Sequence, residues 1–254
     1  MRMVTRVGSP EIDETNSEQE RTRVERIYAR YRASGRKQRA WTLENPGNAA
    51  IRTELLHRAL GHSGQALGGS GLVLDVGCGT GWWLEELARR DVGARRLVGI
   101  DIQESRVRSA QARVPNAYVI TADARNLPVP PQSCDLVTMF TVLSSLGTRE
   151  DIADALAGAR AALTNHGVLL IYEPRVPNLL NRRTSWISNR VLDHAGLVPR
   201  RAESLTVVPL VARRLGASTA LVYPRLSRSG LVTHRLVSYR RASGGDAARP
   251  VAHL

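Results

Sequence analysis

The chain has 254 residues, of which 43% are hydrophobic, and this is enough for one sizeable domain with its own core. Its apolar runs are too short for a membrane-spanning helix, and the polar stretch Met1–Glu20 lacks the apolar segment of a secretory signal. We therefore expect a cytoplasmic protein without a membrane span.

The formal net charge of +13 is unevenly distributed. Residues 173–254 carry 14 basic and 4 acidic residues, whereas residues 71–172 carry 10 basic and 11 acidic residues. A basic segment of this kind is able to attract nucleic acid or another anionic partner. However, every basic residue except Lys37 is arginine, which indicates compositional bias, and one phenylalanine with six tyrosines offers little for base stacking. A nucleic-acid partner is possible but not favoured.

The two cysteines, Cys78 and Cys134, are too few for a disulfide framework or a metal cluster. Each falls in or beside the end of a predicted strand. We interpret both as small, buried, reduced side chains, and we expect no structural zinc site.

The N-terminal quarter is predicted to be a short tail followed by a helical cap. Residues 1–17 are predicted to be disordered. Apolar positions recur at helical spacing over residues 17–31, and a second helix is predicted over Ala49–Leu60. The glycine- and serine-rich stretch Gly61–Gly71 is predicted to be a connector, so the cap occupies residues 18–70.

From Leu72 onward, short apolar runs alternate with amphipathic segments. This alternation is typical of parallel strands joined by helices that cover both faces of a sheet. The predicted strands are Leu72–Val76, Arg96–Asp101, Ala117–Thr121, Cys134–Thr141 and Gly167–Tyr172. The predicted helices between them are Trp82–Arg90, Glu104–Arg113 and Glu150–Leu163. Trp82 and Trp83 are expected to be packing residues of the first of these helices.

After Glu173 the pattern predicts a helix over Thr184–Ala195, a strand over Ser204–Val208, a helix over Pro209–Leu221 and a strand over Leu231–Tyr239. The two late strands are expected to extend one edge of the sheet. The last 13 residues, 242–254, are predicted to form a mobile tail.

These patterns predict an α/β fold for residues 71–241. We expect a doubly wound, Rossmann-like sheet that is mostly parallel, with a late antiparallel edge strand and helices on both faces.

A glycine-rich turn gives the strongest chemical signal. The segment Val73–Gly81 reads VLDVGCGTG, so a buried strand leads directly into glycines at positions 77, 79 and 81. Glycine permits a tight turn and a close approach of the backbone to a ligand. The G-x-G-x-G spacing differs from the dinucleotide fingerprint, and no lysine follows that would indicate a P-loop. Alone, this turn indicates only a nucleotide-like ligand.

Two acidic residues follow the next two predicted strands. Asp101 closes the second strand, 26 residues after Asp75, where a carboxylate is well placed to accept hydrogen bonds from a ribose diol. Asp123 comes just after the third strand and is able to accept a hydrogen bond from an exocyclic amine. Each of them is also suited to cap a helix.

The ordered set DVGCGTG, GID, ADARNLP and CDLVTMFTVLSSL, spread over residues 70–175, resembles the class I S-adenosylmethionine-dependent methyltransferases. The combination is much more specific than any one of its parts. The resemblance implies S-adenosylmethionine as the cofactor and no metal. It also implies nine residues at the cofactor site: Asp75, Gly77, Gly79 and Gly81 beside the methionine part, Asp101 at the ribose hydroxyls, Ile102, Asp123 and Ala124 at the adenine, and Phe140 near the methionyl group or the acceptor.

No catalytic residue follows from this resemblance. Many relatives have an acidic residue and a histidine after the fourth strand, where this chain has Ser144 and Ser145. Glu173 follows the fifth strand and either faces the acceptor or is a solvated turn residue. His166 is expected at the surface, and His194 and His234 are expected to be packed or exposed.

Three functions are compatible with these residues. A small-molecule methyltransferase is favoured, because no target-recognition module is visible. A methyltransferase acting on RNA or another nucleic acid is the second, supported by the basic C-terminal third. A cofactor-binding protein without catalysis is the third, motivated by Ser144 and Ser145. Neither the acceptor nor the oligomeric state follows from the sequence.

Overall fold

The computed structural model describes residues 14–34, 43–93, 96–175, 196–227 and 232–242. The predicted helix Thr184–Ala195, His194 and nearly all of the two predicted tails lie outside the described residues. The division into cap and main domain stays a prediction.

Helices and strands alternate in the order expected from the sequence. The helices are α1 (Glu14–Ser34), α2 (Pro46–Ser63), α3 (Trp82–Ala88), α4 (Glu104–Arg113), α5 (Arg149–Ala162), α6 (Pro209–Leu215) and α7 (Ser218–Leu226). The strands are β1 (Leu72–Val76), β2 (Leu97–Asp101), β3 (Tyr118–Thr121), β4 (Cys134–Phe140), β5 (Leu163–Pro174), β6 (Leu197–Val207) and β7 (Val232–Arg241). Two 3₁₀ turns are formed by Gly64–Gly68 and Leu143–Ser145.

The strands of the described residues form one seven-stranded sheet in the order β3-β2-β1-β4-β5-β7-β6. Strands β1 to β5 are parallel to one another, and β7 is antiparallel to both β5 and β6. The predicted fold class, a mostly parallel Rossmann-like sheet with a late antiparallel strand, is confirmed. The structure refines the place of that strand: β7 lies one position in from the edge, and β6 is the edge itself.

Strand β1 shows why the sheet is covered on both faces. Val73, Leu74 and Val76 are fully buried. Leu74 and Val76 pack in the cluster that contains residues of α5, whereas Val73 packs in the cluster that contains residues of α3 and α4. Because successive side chains of a strand point to opposite faces, a continuous apolar run requires helices on both sides.

Near the C-terminus two boundaries differ from the sequence prediction. The predicted helix over residues 209–221 is two helices, because Gly216 ends α6 with φ +53° and donates its N–H to the Ala212 carbonyl. Strand β6 begins at Leu197, seven residues earlier than predicted. Its first half is interrupted by Pro199 and the exposed residues Arg200 and Arg201, so hydrogen bonds to β7 define this part of the strand without an alternating hydrophobic pattern.

Helix α2 is fixed to the C-terminal part of the chain by a close backbone approach. The Asn45 side chain caps α2 by accepting hydrogen bonds from the N–H groups of Gly47 and Asn48. A Cβ atom on Gly47 would lie 2.0 Å from the Ala212 carbonyl oxygen, so only glycine permits this contact between α2 and α6. Among the described helices, none combines the length and apolar character needed to cross a bilayer.

Candidate functional site

The glycine-rich turn connects β1 to α3 at the carboxyl end of the parallel strands. Gly77, Gly79 and Gly81 have φ values of +68°, +56° and +79°. L-amino acids with side chains rarely adopt this left-handed region, so the turn depends on three glycines for its conformation.

Two of these glycines also leave room for neighbouring elements. A Cβ atom on Gly77 would lie 2.5 Å from a methyl group of Val142. A Cβ atom on Gly81 would lie 3.0 Å from the Cα atom of Ala110 in α4. Gly81 therefore permits the close packing of the turn against α4.

Asp101 is held against the glycine turn by hydrogen bonds from the backbone. Its Oδ2 atom accepts from the Gly79 N–H at 3.0 Å, and its Oδ1 atom accepts from the Gln103 N–H at 2.9 Å. The Nη1 atom of Arg106 lies 3.6 Å from Asp101 Oδ2. The carboxyl end of β2 and the glycine turn thus meet at one point, as the sequence predicted.

A cavity of about 470 Å³ lies beside this contact, within the usual size range of small-ligand sites. Eight of the nine predicted cofactor residues line it: Asp75, Gly77, Gly79, Asp101, Ile102, Asp123, Ala124 and Phe140. Gly81 is the exception, because it packs against α4 instead. The structure brings the eight together, and their contact with a cofactor stays a prediction.

Asp75 is the most deeply buried acid of the cavity wall, with 3% of its surface exposed. The Thr138 hydroxyl on β4 donates to Asp75 Oδ1 at 2.7 Å. Burial raises the pKa of Asp75 to about 7, and the hydrogen bond from Thr138 acts in the opposite direction. Near neutral pH this side chain is therefore able to gain or lose a proton within the site.

Asp123 has a second role besides lining the cavity. Its two carboxylate oxygens accept from Arg125 Nε at 3.0 Å and Arg125 Nη2 at 2.6 Å. Arg125 Nη1 in turn donates to Asp151 Oδ1 in α5 at 2.8 Å. Because a bidentate guanidinium fixes the plane of a carboxylate, this network holds Asp123 in a defined orientation.

Aromatic rings form another part of the cavity wall. The Phe140 ring lies 5.4 Å from Trp83 and 6.1 Å from Tyr172, measured between centroids. Tyr172 stacks on His234 at 4.8 Å, and burial lowers the pKa of His234 to about 4. His234 is thus a packed, neutral histidine near pH 7, one of the two roles expected for it.

Glu173 is not the solvated turn residue that was one of its two expected roles, and it is not among the residues that line the cavity. It is buried, and its carboxylate accepts from the N–H groups of Leu143 at 2.8 Å and Ser144 at 3.3 Å. Burial raises its pKa to about 7. These hydrogen bonds stabilise the 3₁₀ turn after β4. Ser145, the last residue of this turn, lines the cavity.

The sequence pointed to no role in the site for Glu20, Arg52, Arg106 and Tyr172, all of which line the cavity. Glu20 and Arg52 belong to α1 and α2, outside the motif region, and only tertiary packing brings them near the glycine turn. A charged residue on an amphipathic helix has no local signal that distinguishes it from a solvated one.

Both cysteines are buried free thiols, as expected. Burial raises the pKa of the Cys134 thiol to about 11 and that of Cys78 further still, so both stay protonated at neutral pH.

A family model described as "Methyltransferase domain" matches residues 73–167. A trans-aconitate 2-methyltransferase from Paracidovorax citrulli is 36% identical over 211 residues, which cover 70% of this chain and 79% of that protein. A probable S-adenosylmethionine-dependent methyltransferase from Mycolicibacterium smegmatis is 34% identical over 102 residues, but the match spans only 37% of that relative. The chain belongs to the class I S-adenosylmethionine-dependent methyltransferase family.

Solved structures support the fold. The geranyl diphosphate C-methyltransferase of Streptomyces coelicolor, in complex with S-adenosyl-L-homocysteine, superposes with a TM-score of 0.59 at 15% identity. The superposition covers 75% of this chain and 81% of that protein. A protein from Pyrococcus horikoshii superposes with a TM-score of 0.60 at 18% identity, covering 84% of this chain.

Proposed function

We propose that this protein transfers a methyl group from S-adenosylmethionine to a small-molecule acceptor. The observation that supports this best is the 3.0 Å hydrogen bond from the Gly79 N–H to Asp101, at the wall of a cavity of about 470 Å³. Family membership and the identity to the P. citrulli relative point to the same chemistry. A cytoplasmic location is part of the same proposal.

The residues of the cavity fit an adenosyl cofactor. Asp101 has acceptor positions beyond its two backbone hydrogen bonds, and these suit the ribose hydroxyls. Asp123 and Ala124 line the cavity and are proposed to meet the adenine edge. Gly77 and Gly79 also line it, without side chains, and are proposed to lie beside the methionine part. When bound, S-adenosylmethionine supplies an activated methyl group on a sulfonium centre.

The protein positions the acceptor against the methyl group of the cofactor and excludes water from the site. Holding two reactants in line removes on the order of 7–11 kcal/mol of the barrier in favourable cases. Phe140, Trp83 and Tyr172 present apolar surface to the cavity and keep water from the reacting atoms. Asp75 holds or releases a proton at its carboxylate near pH 7, and its ionised form favours a cation in the site.

The acceptor is proposed to be a small molecule that enters beside α1. Glu20 and Val24 of α1 line the cavity, so this helix narrows the site on one side. Because the P. citrulli relative is named for trans-aconitate, carboxylate-bearing acceptors are the first to test. The alternative of a nucleic-acid acceptor gains no support from these relatives.

Two measurements test the proposal. Calorimetry should show binding of S-adenosylhomocysteine to the purified protein, and its absence would refute the proposal at the first step. Incubation of a metabolite extract with methyl-labelled cofactor, followed by mass spectrometry, should reveal a labelled product. Cofactor binding without any labelled product, from extract or from trans-aconitate, would favour a cofactor-binding protein without catalysis.

A further inference from the structure

Exposed apolar side chains are concentrated at one corner of the molecule, which is formed by α6, α7 and the residues just before α2. Five large apolar side chains are exposed among the described residues, and four of them belong to this corner: Leu43, Leu210, Leu215 and Leu221. The Asn45 side chain reaches the Arg213 carbonyl oxygen at 3.5 Å, which places the segment before α2 beside α6. A cluster of exposed apolar side chains indicates a surface that contacts a partner.

The packing of α6 and α7 explains why these leucines face outward. Ala212, Thr219 and Tyr223 are buried and form the inner side of the helix pair, where the Thr219 hydroxyl donates to the Ala212 carbonyl at 2.9 Å. Each residue of a helix is rotated by about 100° from the one before it. Leu210 therefore lies about 200° from Ala212, and Leu221 lies about 200° from both buried residues of α7. Both leucines are thus on the outer side, and Leu221 is 84% exposed.

Arginines share the outer side of both helices. Arg214 follows Leu210 by four residues, and Arg225 follows Leu221 by four residues, so each helix places an arginine one turn from its exposed leucine. Both of these arginines are exposed. The surrounding sequence is strongly basic as well, because the chain has seven arginines and no acidic residue between Glu203 and Asp246.

Two acidic residues from other parts of the chain lie near the helix pair. Glu54 of α2 acts on the buried Tyr223 at the inner side, and it pairs with Arg58 at 2.7 Å. Glu44 follows Leu43 at the border of the corner. The outer side of α6 and α7 is therefore both apolar and positively charged.

We propose that the outer side of α6 and α7 is a docking surface for an anionic lipid bilayer. The docking surface consists of Leu210, Arg214, Leu221 and Arg225. Amphipathic helices with this composition lie in the plane of a membrane, with leucines at the acyl boundary and arginines among the anionic headgroups. This mode of binding requires no membrane-spanning helix.

The combination of leucines with arginines favours a bilayer over two other occupants. A nucleic acid would contact the arginines through its phosphates and leave the leucines in water. A second copy of the chain, related by a two-fold axis, would place the same positively charged surface opposite itself. A bilayer with anionic headgroups accommodates both residue types at once.

Helix α2 connects the docking surface to the cavity. Its Gly47 packs against the Ala212 carbonyl of α6, and its Arg52 and Leu55 line the cavity. Docking would therefore hold the cavity at a fixed position relative to the bilayer. This inference goes beyond the proposed function, because binding to a bilayer does not require methyl transfer.

The test is co-sedimentation of the full chain with lipid vesicles. One set of vesicles contains phosphatidylglycerol and phosphatidylcholine in equal parts, and the other contains phosphatidylcholine alone. The first variant combines Leu210→Ser with Leu221→Ser. The second variant combines Arg214→Gln with Arg225→Gln.

Two control proteins match these variants. Tyr118→Ser removes an exposed ring from β3, which is the opposite edge of the sheet from β6. Arg89→Gln combined with Arg108→Gln removes two positive charges at exposed positions outside the helix pair. The substituted residues of the docking surface are exposed, so both variants should keep the parent's midpoint of thermal unfolding.

The parent protein should bind the anionic vesicles at least about 10-fold more tightly than the neutral ones. The leucine variant should weaken this binding about 10- to 100-fold, because it removes the apolar surface that enters the bilayer. The arginine variant should weaken it about 10- to 30-fold, and added salt should have a similar effect. Both control proteins should bind within about threefold of the parent.

Four results would overturn the assignment. The first is equal binding of the parent to both vesicle types, and the second is vesicle binding that the leucine variant leaves unchanged, which would mean electrostatic adsorption alone. The third is retention of RNA that the arginine variant abolishes, without vesicle binding. The fourth is a dimer in sedimentation velocity that the leucine variant dissociates, again without vesicle binding. Methyl transfer is measured separately, so none of these results would refute the proposed function.

Discussion

The Gly79 N–H donates to Asp101 Oδ2 at 3.0 Å, so the turn after β1 and the end of β2 are joined by a direct hydrogen bond. Asp101 also accepts from the Gln103 N–H. The same carboxylate thus shapes the glycine turn and is the proposed ribose ligand. Stability and cofactor affinity are therefore expected to depend together on this residue.

The first prediction concerns Asp101. Asp101→Ala should weaken binding of S-adenosylhomocysteine by at least about 10-fold and destabilise the fold by about 1–3 kcal/mol, because two buried N–H groups lose a charged acceptor. Asp101→Asn retains a carbonyl oxygen and should lose less stability. Calorimetry and chemical denaturation measure the two effects. An Asp101→Ala protein that binds as tightly as the parent would disprove the ribose assignment.

The second prediction separates steric from conformational effects at the glycines. Gly81→Ala should destabilise the protein by about 2–4 kcal/mol, because its Cβ would meet the backbone of Ala110 in addition to adopting a positive φ. Gly81 lies in the left-handed region, with φ +79° and ψ +18°, where an alanine without a steric clash would cost about 1–2 kcal/mol. A loss below about 1 kcal/mol in urea denaturation would contradict the packing role of Gly81.

The third prediction is a pH dependence caused by Asp75. Its pKa is raised from 3.8 to about 7 in the folded protein, so between these values the folded state keeps a proton that the unfolded chain releases. The contribution of Asp75 to the free energy of unfolding therefore falls as the pH rises from about 4 to about 7. Above about pH 7 this contribution is constant.

Asp75→Asn removes this dependence and retains an oxygen that accepts from Thr138. Its stability relative to the parent should rise by on the order of 2–4 kcal/mol between pH 4 and pH 8. Denaturation curves at several pH values measure the difference. The exposed Asp154, changed to Asn, controls for the loss of one negative charge. A constant difference between Asp75→Asn and the parent across this range would contradict the buried-acid interpretation.

The fourth prediction concerns the network of Arg125 with Asp123 and Asp151. Arg125→Met should destabilise the protein by about 3–5 kcal/mol, because it leaves two largely buried carboxylates without their cation. Adding Asp123→Asn should recover part of the loss. Arg108→Met, which removes an exposed ion pair with Glu104, should cost less than about 1 kcal/mol. Similar losses for both arginine variants would contradict a structural role for the Arg125 network.

The local sequence determined the fold class and the glycine turn. A buried parallel strand is recognised by its apolar run, and a turn with positive φ values requires glycine at particular positions. Both features are therefore predictable from short segments such as Val73–Gly81. Asp101 was predictable for the same reason, since parallel strands of a doubly wound sheet end at one edge and bring their last residues together.

Only the tertiary structure decided the roles of Arg52, Glu173 and Asp75. Arg52 reaches the cavity because α2 packs beside α3, and this depends on contacts between segments far apart in the chain. Glu173 stabilises the turn after β4, because its carboxylate accepts hydrogen bonds from backbone N–H groups 29 and 30 residues away in the chain. The raised pKa of Asp75 follows from burial, which is a property of the whole fold and of no single segment.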